Sequence, residues 1–244
     1  MKDIFISGSF ISGLFLFGAS LIYGCLGTLN FNHLSLLLSF SLNEELIVFK
    51  YFVLLGILLI TIVLLFKIAS APFHFWAPDV YEGAPLSSTI IFSILPKLVI
   101  FSFFMKWVSV ICCFFTEIKD IFVFIGVISV AVGTFFALRQ KRMKRLVIYS
   151  SIAQIGFLVA ALACGSADGF ASIFFFLIIY ILSSVLIWNH ITFYYEFEAY
   201  ENELSYGTPL FLTSLSNLVS MNRLWAFSFL VIFFSIAGIP PASG

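Results

Sequence analysis

Seven long apolar stretches take up most of this sequence and leave little room for a domain outside the membrane. With approximate bounds, they cover residues 4–26, 47–70, 86–114, 120–138, 146–164, 170–194 and 223–239. A helix that crosses the hydrocarbon core of a bilayer needs about 20 consecutive apolar residues. The pattern therefore predicts an all-α fold, a polytopic transmembrane helix bundle of about seven helices. We expect residues 1–244 to form a single membrane domain.

The charge content excludes several classes of protein. Only 10% of the residues are charged, with twelve basic and twelve acidic side chains and no net charge, whereas a soluble domain carries about 25%. A soluble enzyme, a nucleic-acid binder and a disordered tail are therefore excluded. The cysteines, Cys25, Cys112, Cys113 and Cys164, lie in or beside apolar runs without CxxC spacing. They are interpreted as small buried hydrophobes rather than as disulfides or metal ligands.

One short loop sets the predicted orientation in the membrane. It holds five of the twelve basic residues, namely Arg139, Lys141, Arg142, Lys144 and Arg145. Short loops rich in Lys and Arg stay on the cytoplasmic or matrix side, and such a cluster also suits anionic lipid head groups. If the helices alternate, the N-terminus, 71–85 and 195–222 lie on that side, and 27–46, 115–119 and 165–169 lie opposite.

Two of these connections look structured. Residues 27–46 contain an amphipathic run that could lie along the membrane interface. Residues 195–222 form the longest polar link and carry four glutamates, Glu196, Glu198, Glu201 and Glu203.

Two lysines lie inside apolar stretches. Lys67 follows a long uncharged run, and Lys97 lies well inside its segment. A charge at the centre of a membrane helix costs about 2.5–3.5 kcal/mol on insertion scales, so such residues are candidates for function that face a bundle interior or a water-filled path. The alternative is that the long lysine stem reaches the interface. That alternative suits Lys67, near a helix end, better than Lys97.

Pro96 and His190 add two further candidates. Pro96 cannot donate to the carbonyl of Phe92, which must therefore find another partner or water. Such a carbonyl beside Lys97 would suit a hydrated proton path, and a plain packing kink is the alternative. His190, near the end of the sixth stretch, is either a hydrogen-bonded structural residue or part of a proton relay. Because no nucleophile, phosphate or metal motif accompanies these residues, we infer transport rather than redox or hydrolytic chemistry on this chain.

Three ordered blocks resemble one family. FKIASAPFHFWAPDVYEGAP followed by STIIFSILPK, then KRMKRLVIYSSIAQIGF, and the terminal AGIPP at 237–241 are similar to chain 2 of NADH–ubiquinone oxidoreductase. This family contains antiporter-like membrane subunits of respiratory complex I. The resemblance implies an inverted-repeat fold with discontinuous helices and charge-handling sites near the breaks. Residues 1–114 would complete the first repeat, and residues 120–244 would begin the second.

By the same resemblance, Lys67 and Lys97 match two lysines of the family's first half-channel. The family also carries a glutamate before the first stretch and a lysine after AGIPP, and neither lies in this sequence. We therefore expect the middle portion of a larger subunit, either a fragment or the product of a split gene. The family's ionisable residue in the sixth helix has His190 as its only candidate here.

The resemblance implies a membrane-arm subunit of a proton-translocating NADH:ubiquinone reductase, driven by electron transfer elsewhere. Lys67, Lys97 and His190 would form its proton relay, without a cofactor on this chain. Expected partners are other membrane-arm subunits, a chain supplying the missing helices, and lipids, but not nucleic acid. The phenylalanine-rich composition, with 33 residues, favours an organelle gene and hence the mitochondrial inner membrane, with a bacterial plasma membrane as the alternative. A structural scaffold of the same complex and a cation/proton antiporter are the alternative functions.

Overall fold

The computed structural model describes residues 2–40, 47–111, 115–202 and 223–236, and nearly all of them are helical. Nine helices lie in these ranges. In chain order they are α1 (Lys2–Leu26), α2 (Phe31–Phe40), α3 (Ile47–Lys67), α4 (Trp76–Gly83), α5 (Leu86–Val110), α6 (Phe115–Arg139), α7 (Met143–Leu162), α8 (Ala167–Asn202) and α9 (Arg223–Ile236).

Six of these helices are long and apolar enough to cross a membrane, namely α1, α3, α5, α6, α7 and α8. The predicted all-α, polytopic membrane bundle is therefore confirmed. The seventh apolar stretch gives α9, whose 14 described residues are too few for a full crossing. The AGIPP segment at 237–241 lies outside the described residues, as do Cys112 and Cys113.

Several predicted connections are wrong in part because helices extend into them. The basic loop is limited to residues 140–142, since α6 ends at Arg139 and α7 begins at Met143. The segment 115–119 was expected to be a loop, but α6 already begins at Phe115, and Ile118 is buried on its inner face. Helix α8 continues to Asn202 instead of ending before residue 195. Tyr194 and Tyr195 are buried, so aromatic packing prolongs the apolar face beyond the purely apolar stretch.

Part of the 27–46 connection is the short helix α2. Leu34 and Leu38, one turn apart, are both buried, and the ring of Phe31 packs against Phe103 of α5 at 5.7 Å. The amphipathic run therefore packs its apolar face on the bundle. Residues 41–46 lie outside the described part of the chain.

Two antiparallel helix pairs are held together by close backbone contact at glycines. A Cβ atom added to Gly133 of α6 would lie 2.5 Å from the backbone nitrogen of Ala153 in α7, and one added to Gly156 would lie 2.7 Å from that of Val130. Gly18 and Gly56 make the same kind of contact between α1 and α3. Small residues at such crossings allow the close packing that associates helices in membranes.

Candidate functional site

Lys97 occupies the middle of helix α5 and is buried, with only 5% of its surface exposed. At a rise of 1.5 Å per residue, it lies roughly 16 Å from the start of α5 and 20 Å from its end. A lysine stem cannot reach either end from there. The interface-reaching alternative therefore does not apply to Lys97.

Two hydroxyl groups from neighbouring helices accept hydrogen bonds from the Lys97 amine. Its Nζ lies 2.7 Å from the Tyr180 hydroxyl of α8 and 3.1 Å from Ser151 Oγ of α7. Nζ is 5.2 Å from the Tyr180 ring centroid, so the oxygen, not the ring face, makes the close contact. A tyrosine hydroxyl can accept from an ammonium group or donate to a neutral amine. The site can therefore hold Lys97 in either protonation state.

A small cavity with both polar and apolar walls adjoins these hydroxyl groups. Its volume is about 20 Å³, and a buried water needs about 10–15 Å³ and polar partners. The space is therefore large enough for water beside the Lys97 partners. The polar residues that line it are Tyr81, Ser93, Ser150, Ser151, Gln154, Tyr180, Ser183 and Ser184.

The carbonyl released by Pro96 has a protein partner. Pro96 lies inside α5 and leaves the Phe92 carbonyl without its helical donor. The Tyr81 hydroxyl of α4 donates to this carbonyl at 3.2 Å. Tyr81 is 8% exposed, and burial raises its pKa to about 12, so the hydroxyl keeps its proton at neutral pH. The predicted need for a new partner is thus met by α4.

Residues 68–75 interrupt the helical path between α3 and α4. Ala69 adopts a left-handed conformation with φ of 59°, and Ser70 N–H donates to the Leu65 carbonyl at 3.1 Å. These features form a Schellman ending for α3. The Ala71 N–H then donates to Ser129 Oγ of α6 at 2.9 Å, and Ser129 donates to its own helix at Ile125. The helical path is therefore broken after Lys67, and one buried serine fixes the break to α6.

Lys67 lies in the last turn of α3 and is exposed in this chain. Its Nζ is 5.9 Å from the centre of the Phe15 ring. A lysine in a last helical turn also interacts favourably with the negative end of the helix dipole. The predicted position near a helix end is observed, while the proton-carrying role of Lys67 stays a prediction.

His190 lies on the α8 surface that packs against α9. Its Nε2 is 2.9 Å from Ser228 Oγ, and its ring lies 4.2 Å from the Trp225 ring, centre to centre. Its buried Nδ1 has no hydrogen-bond partner among the described residues. The described contacts of Lys97 include neither His190 nor Lys67, so the three-residue relay stays a prediction.

An ion-pair cluster joins α4 to the basic residues at the start of α7. Glu82 pairs with both Arg142 and Arg145, and Arg145 also contacts Asp79 at 3.0 Å. Burial by itself would raise the pKa of Glu82, but hydrogen bonds and charge from the two arginines outweigh it and hold the pKa below its ordinary value. These contacts bring the 71–85 segment and the basic loop to the same end of the bundle.

Metal ligands do not come together in the part of the chain that the structure describes. No group of three or more His, Cys, Asp or Glu residues there could hold an ion. Cys25 and Cys164 are free thiols.

Sequence reasoning missed the groups around Lys97. Tyr180, Ser183 and Ser184 lie three and four residues apart in α8, and Ser150, Ser151 and Gln154 repeat that spacing in α7. Such spacing places polar side chains on one face of an otherwise apolar helix. That periodicity was the available signal, although it does not identify the lysine that the two faces meet.

Comparison with known proteins shows which family this chain resembles. Residues 2–244 match the family described as NADH:quinone oxidoreductase/Mrp antiporter, TM. NADH-ubiquinone oxidoreductase chain 2 of Marchantia polymorpha is 35% identical over 98% of this chain and 47% of that protein. NADH-quinone oxidoreductase subunit N of Pelagibacter ubique is 34% identical, over 98% of this chain and 48% of the relative. The chain thus spans about half the length of these curated relatives.

A solved structure of respiratory complex I from Thermus thermophilus, with bound aureothin, contains a similar chain. The two superpose with a TM-score of 0.73 at 28% identity, over 98% of this chain and 48% of that one. The match therefore covers nearly all of this chain. The chain belongs to the membrane family of NADH:quinone oxidoreductase and Mrp antiporter subunits.

Proposed function

We propose that this chain forms part of a membrane-arm subunit of a proton-translocating NADH:quinone oxidoreductase, with Lys97 as a proton carrier. The observation that carries the proposal is the buried mid-helix Lys97 amine between two hydroxyl groups, beside a cavity of about 20 Å³. Burying a charge in a membrane helix is costly. A buried lysine whose partners can bind both the charged and the neutral amine is therefore a candidate for carrying protons.

Electron transfer would take place on other subunits, and this chain would need no cofactor of its own. Lys67, with its exposed amine, would meet an acidic group of a further helix, supplied by the remainder of a subunit like its relatives. Other membrane-arm subunits and lipids would be the partners, and nucleic acid would not. His190 would extend the relay towards α9 through its contact with Ser228.

The proposed location is the mitochondrial inner membrane or, for a bacterial source, the plasma membrane. The basic loop 139–145 would face the matrix or cytoplasm, because short loops rich in Lys and Arg stay on that side. Arg139 and Lys141 are exposed there. They would contact anionic lipid head groups, whereas Arg142 and Arg145 are paired with α4.

Cation/proton antiport is a second candidate, because the matched family also includes Mrp antiporters. A third is a scaffold subunit that carries no protons. The names of the two relatives reported above favour the oxidoreductase. Native electrophoresis distinguishes the first two, because a subunit of the oxidoreductase would migrate with NADH dehydrogenase activity and an antiporter would not.

Substitution of Lys97 tests the proton-carrier proposal in the assembled complex. The Lys97→Met variant should assemble and lose proton translocation, measured in vesicles alongside NADH oxidation. Lys106→Met is the matched control, because Lys106 lies on the same helix but is exposed, and it should translocate protons normally. Wild-type translocation in Lys97→Met would refute the carrier role and favour the scaffold.

A further inference from the structure

Helix α4 connects the charged end of the bundle to the helix that carries Lys97. Two adjacent residues of α4 make this connection, one to the charged end and the other to α5. Glu82 pairs with Arg142 and Arg145 at the start of α7, while the Tyr81 hydroxyl donates to the Phe92 carbonyl of α5. Although α4 has only eight residues, it contacts both the charged surface and the buried site.

We propose that Tyr81 is a positioning residue for Lys97: its hydroxyl holds the Phe92 carbonyl that Pro96 leaves free and thereby sets where the Lys97 amine lies. This inference rests on the proposed function of Lys97 as a proton carrier. It assigns Tyr81 no proton-carrying step.

The Phe92 carbonyl is the point at which Tyr81 acts on α5. It lies one turn before Pro96, and Lys97 follows Pro96 directly. A proline inside a helix frees the carbonyl four residues before it, and in a membrane protein a group from a neighbouring element can satisfy that carbonyl. In the membrane interior, a carbonyl without a donor would have to turn towards another partner. The Tyr81 hydroxyl therefore fixes the local geometry that aims Lys97 at Tyr180 and Ser151.

The surroundings of Tyr81 hold its ring in place. The Trp76 ring lies 6.0 Å from the Tyr81 ring, centre to centre. The Trp76 indole N–H donates to the Phe66 carbonyl at the end of α3 at 3.1 Å. At the other end of α4, Lys144 Nζ donates to the Ala84 carbonyl at 3.3 Å. Because α4 is tied to both α3 and α7, the Tyr81 hydroxyl is a fixed donor.

Tyr81 also lines the same cavity as the two partners of Lys97. The hydrogen bonds of the Lys97 amine go to Tyr180 and Ser151, and that of the Tyr81 hydroxyl goes to the Phe92 carbonyl. Tyr81 thus borders the space next to the amine while being committed to the backbone. This arrangement is that of a positioning group rather than a carrier.

The Tyr81→Phe variant tests the proposal in the assembled complex, because it removes one oxygen and keeps the ring. Proton translocation should fall by about fivefold, the factor expected for losing one buried hydrogen bond. The midpoint of its pH profile should also move, by about half a pH unit, because the amine would sit in altered surroundings. Tyr51→Phe, at a hydroxyl on an exposed side chain of α3, should change neither quantity.

A second substitution asks whether the carbonyl is the target. Pro96→Ala restores a backbone N–H that can donate to the Phe92 carbonyl within α5. In the Pro96→Ala background, Tyr81→Phe should therefore cost less than twofold. Equal fivefold losses in both backgrounds would overturn the proposal, because the hydroxyl would then act elsewhere. A loss with an unchanged pH profile would also overturn it.

Lys97→Met, measured in parallel, separates the two proposals. If Lys97→Met abolishes translocation while Tyr81→Phe behaves as wild type, the positioning role fails and the proposed function stands. If Lys97→Met translocates normally, the proposed function fails, and the positioning role fails with it.

Discussion

Lys67 and Lys97 both lie in membrane-spanning helices, but the protein surrounds them differently. Lys97 is buried in mid-helix and has two hydroxyl partners at 2.7 and 3.1 Å. Lys67 is exposed in the last turn of α3, where its described contact is the Phe15 ring at 5.9 Å. One lysine is therefore enclosed by groups of this chain, while the other presents its charge on the chain's surface.

The difference shows how depth decides what a charge requires. In its last helical turn, Lys67 gains from the helix dipole, which favours cations at C-terminal ends. Lys97 is roughly 16 Å from the nearer helix end and obtains no such help, so side chains from α7 and α8 must supply its polar surroundings. A change near Lys97 should therefore affect function far more than an equivalent change near Lys67.

Removing one partner of each lysine should give the largest difference between the two sites. Tyr180→Phe deletes the hydroxyl at 2.7 Å from Lys97 Nζ, and a buried hydrogen bond to a charged group contributes about 1.5–3 kcal/mol. Proton translocation by the assembled complex should fall at least about tenfold. Phe15→Leu removes the ring near Lys67, and an exposed cation–π contact contributes about 0.5–1 kcal/mol.

Phe15→Leu should accordingly stay within about fivefold of wild type in the same vesicle assay. Assembly of both variants is checked by native electrophoresis. Equal losses for the two substitutions would contradict the comparison, because Lys67 would then depend on this chain as strongly as Lys97 does.

The sequence predicts the parts of this contrast that depend on one stretch of the chain. It does not predict the parts that depend on contacts between separate helices. Lys97 could be identified because a cation far from both ends of an apolar stretch is visible in the sequence itself. The need of the Phe92 carbonyl for a partner follows from Pro96 alone. That Tyr81 would be the partner could not be predicted, because the two groups meet only when α4 folds against α5.

The end of a helix is hard to predict for the same reason, because it also depends on contacts between helices. The apolar stretch predicts the membrane-spanning part of α8, but the continuation to Asn202 depends on the burial of Tyr194 and Tyr195. Amphipathic aromatic residues suit both a polar link and a helix that leaves the membrane. Tertiary packing decides between these outcomes.

A smaller effect should follow from loosening the break that separates the two lysines. Ser129→Ala removes the acceptor of the buried Ala71 N–H, 2.9 Å away, and an unsatisfied buried donor costs about 1–3 kcal/mol. The free energy of unfolding in detergent should fall by about 2 kcal/mol. Ser102→Ala is the control, because exposed Ser102 bonds only to its own helix, and it should change stability by less than about 0.5 kcal/mol. Equal stability of the two variants would mean that the break is held by other contacts.

The smallest loss of stability is expected from removing the charges of α4, the helix that contacts the helix of Lys97. Glu82→Gln removes the charge that pairs with Arg142 and Arg145, whose side chains are 47% and 35% exposed. Because solvent screens such pairs, the loss of stability at neutral pH should be about 1 kcal/mol. Asp79→Asn, at a carboxylate that is 73% exposed, should cost only about 0.3 kcal/mol.

The pH dependence of the Glu82→Gln effect shows whether Glu82 stabilises α4 by its charge or by its packing. The two arginines hold the pKa of Glu82 below its ordinary value of 4.5, so the folded state favours the carboxylate. The stabilisation is therefore complete above the ordinary pKa and is lost as the pH falls through the lowered pKa of the folded state. Unfolding of the wild type and Glu82→Gln, measured between neutral pH and pH values below 4.5, should give curves that converge at the acidic end. Curves that stay parallel would show that Glu82 stabilises α4 by packing rather than by charge, and that the ion pairs do not hold the helix that contacts the Lys97 site.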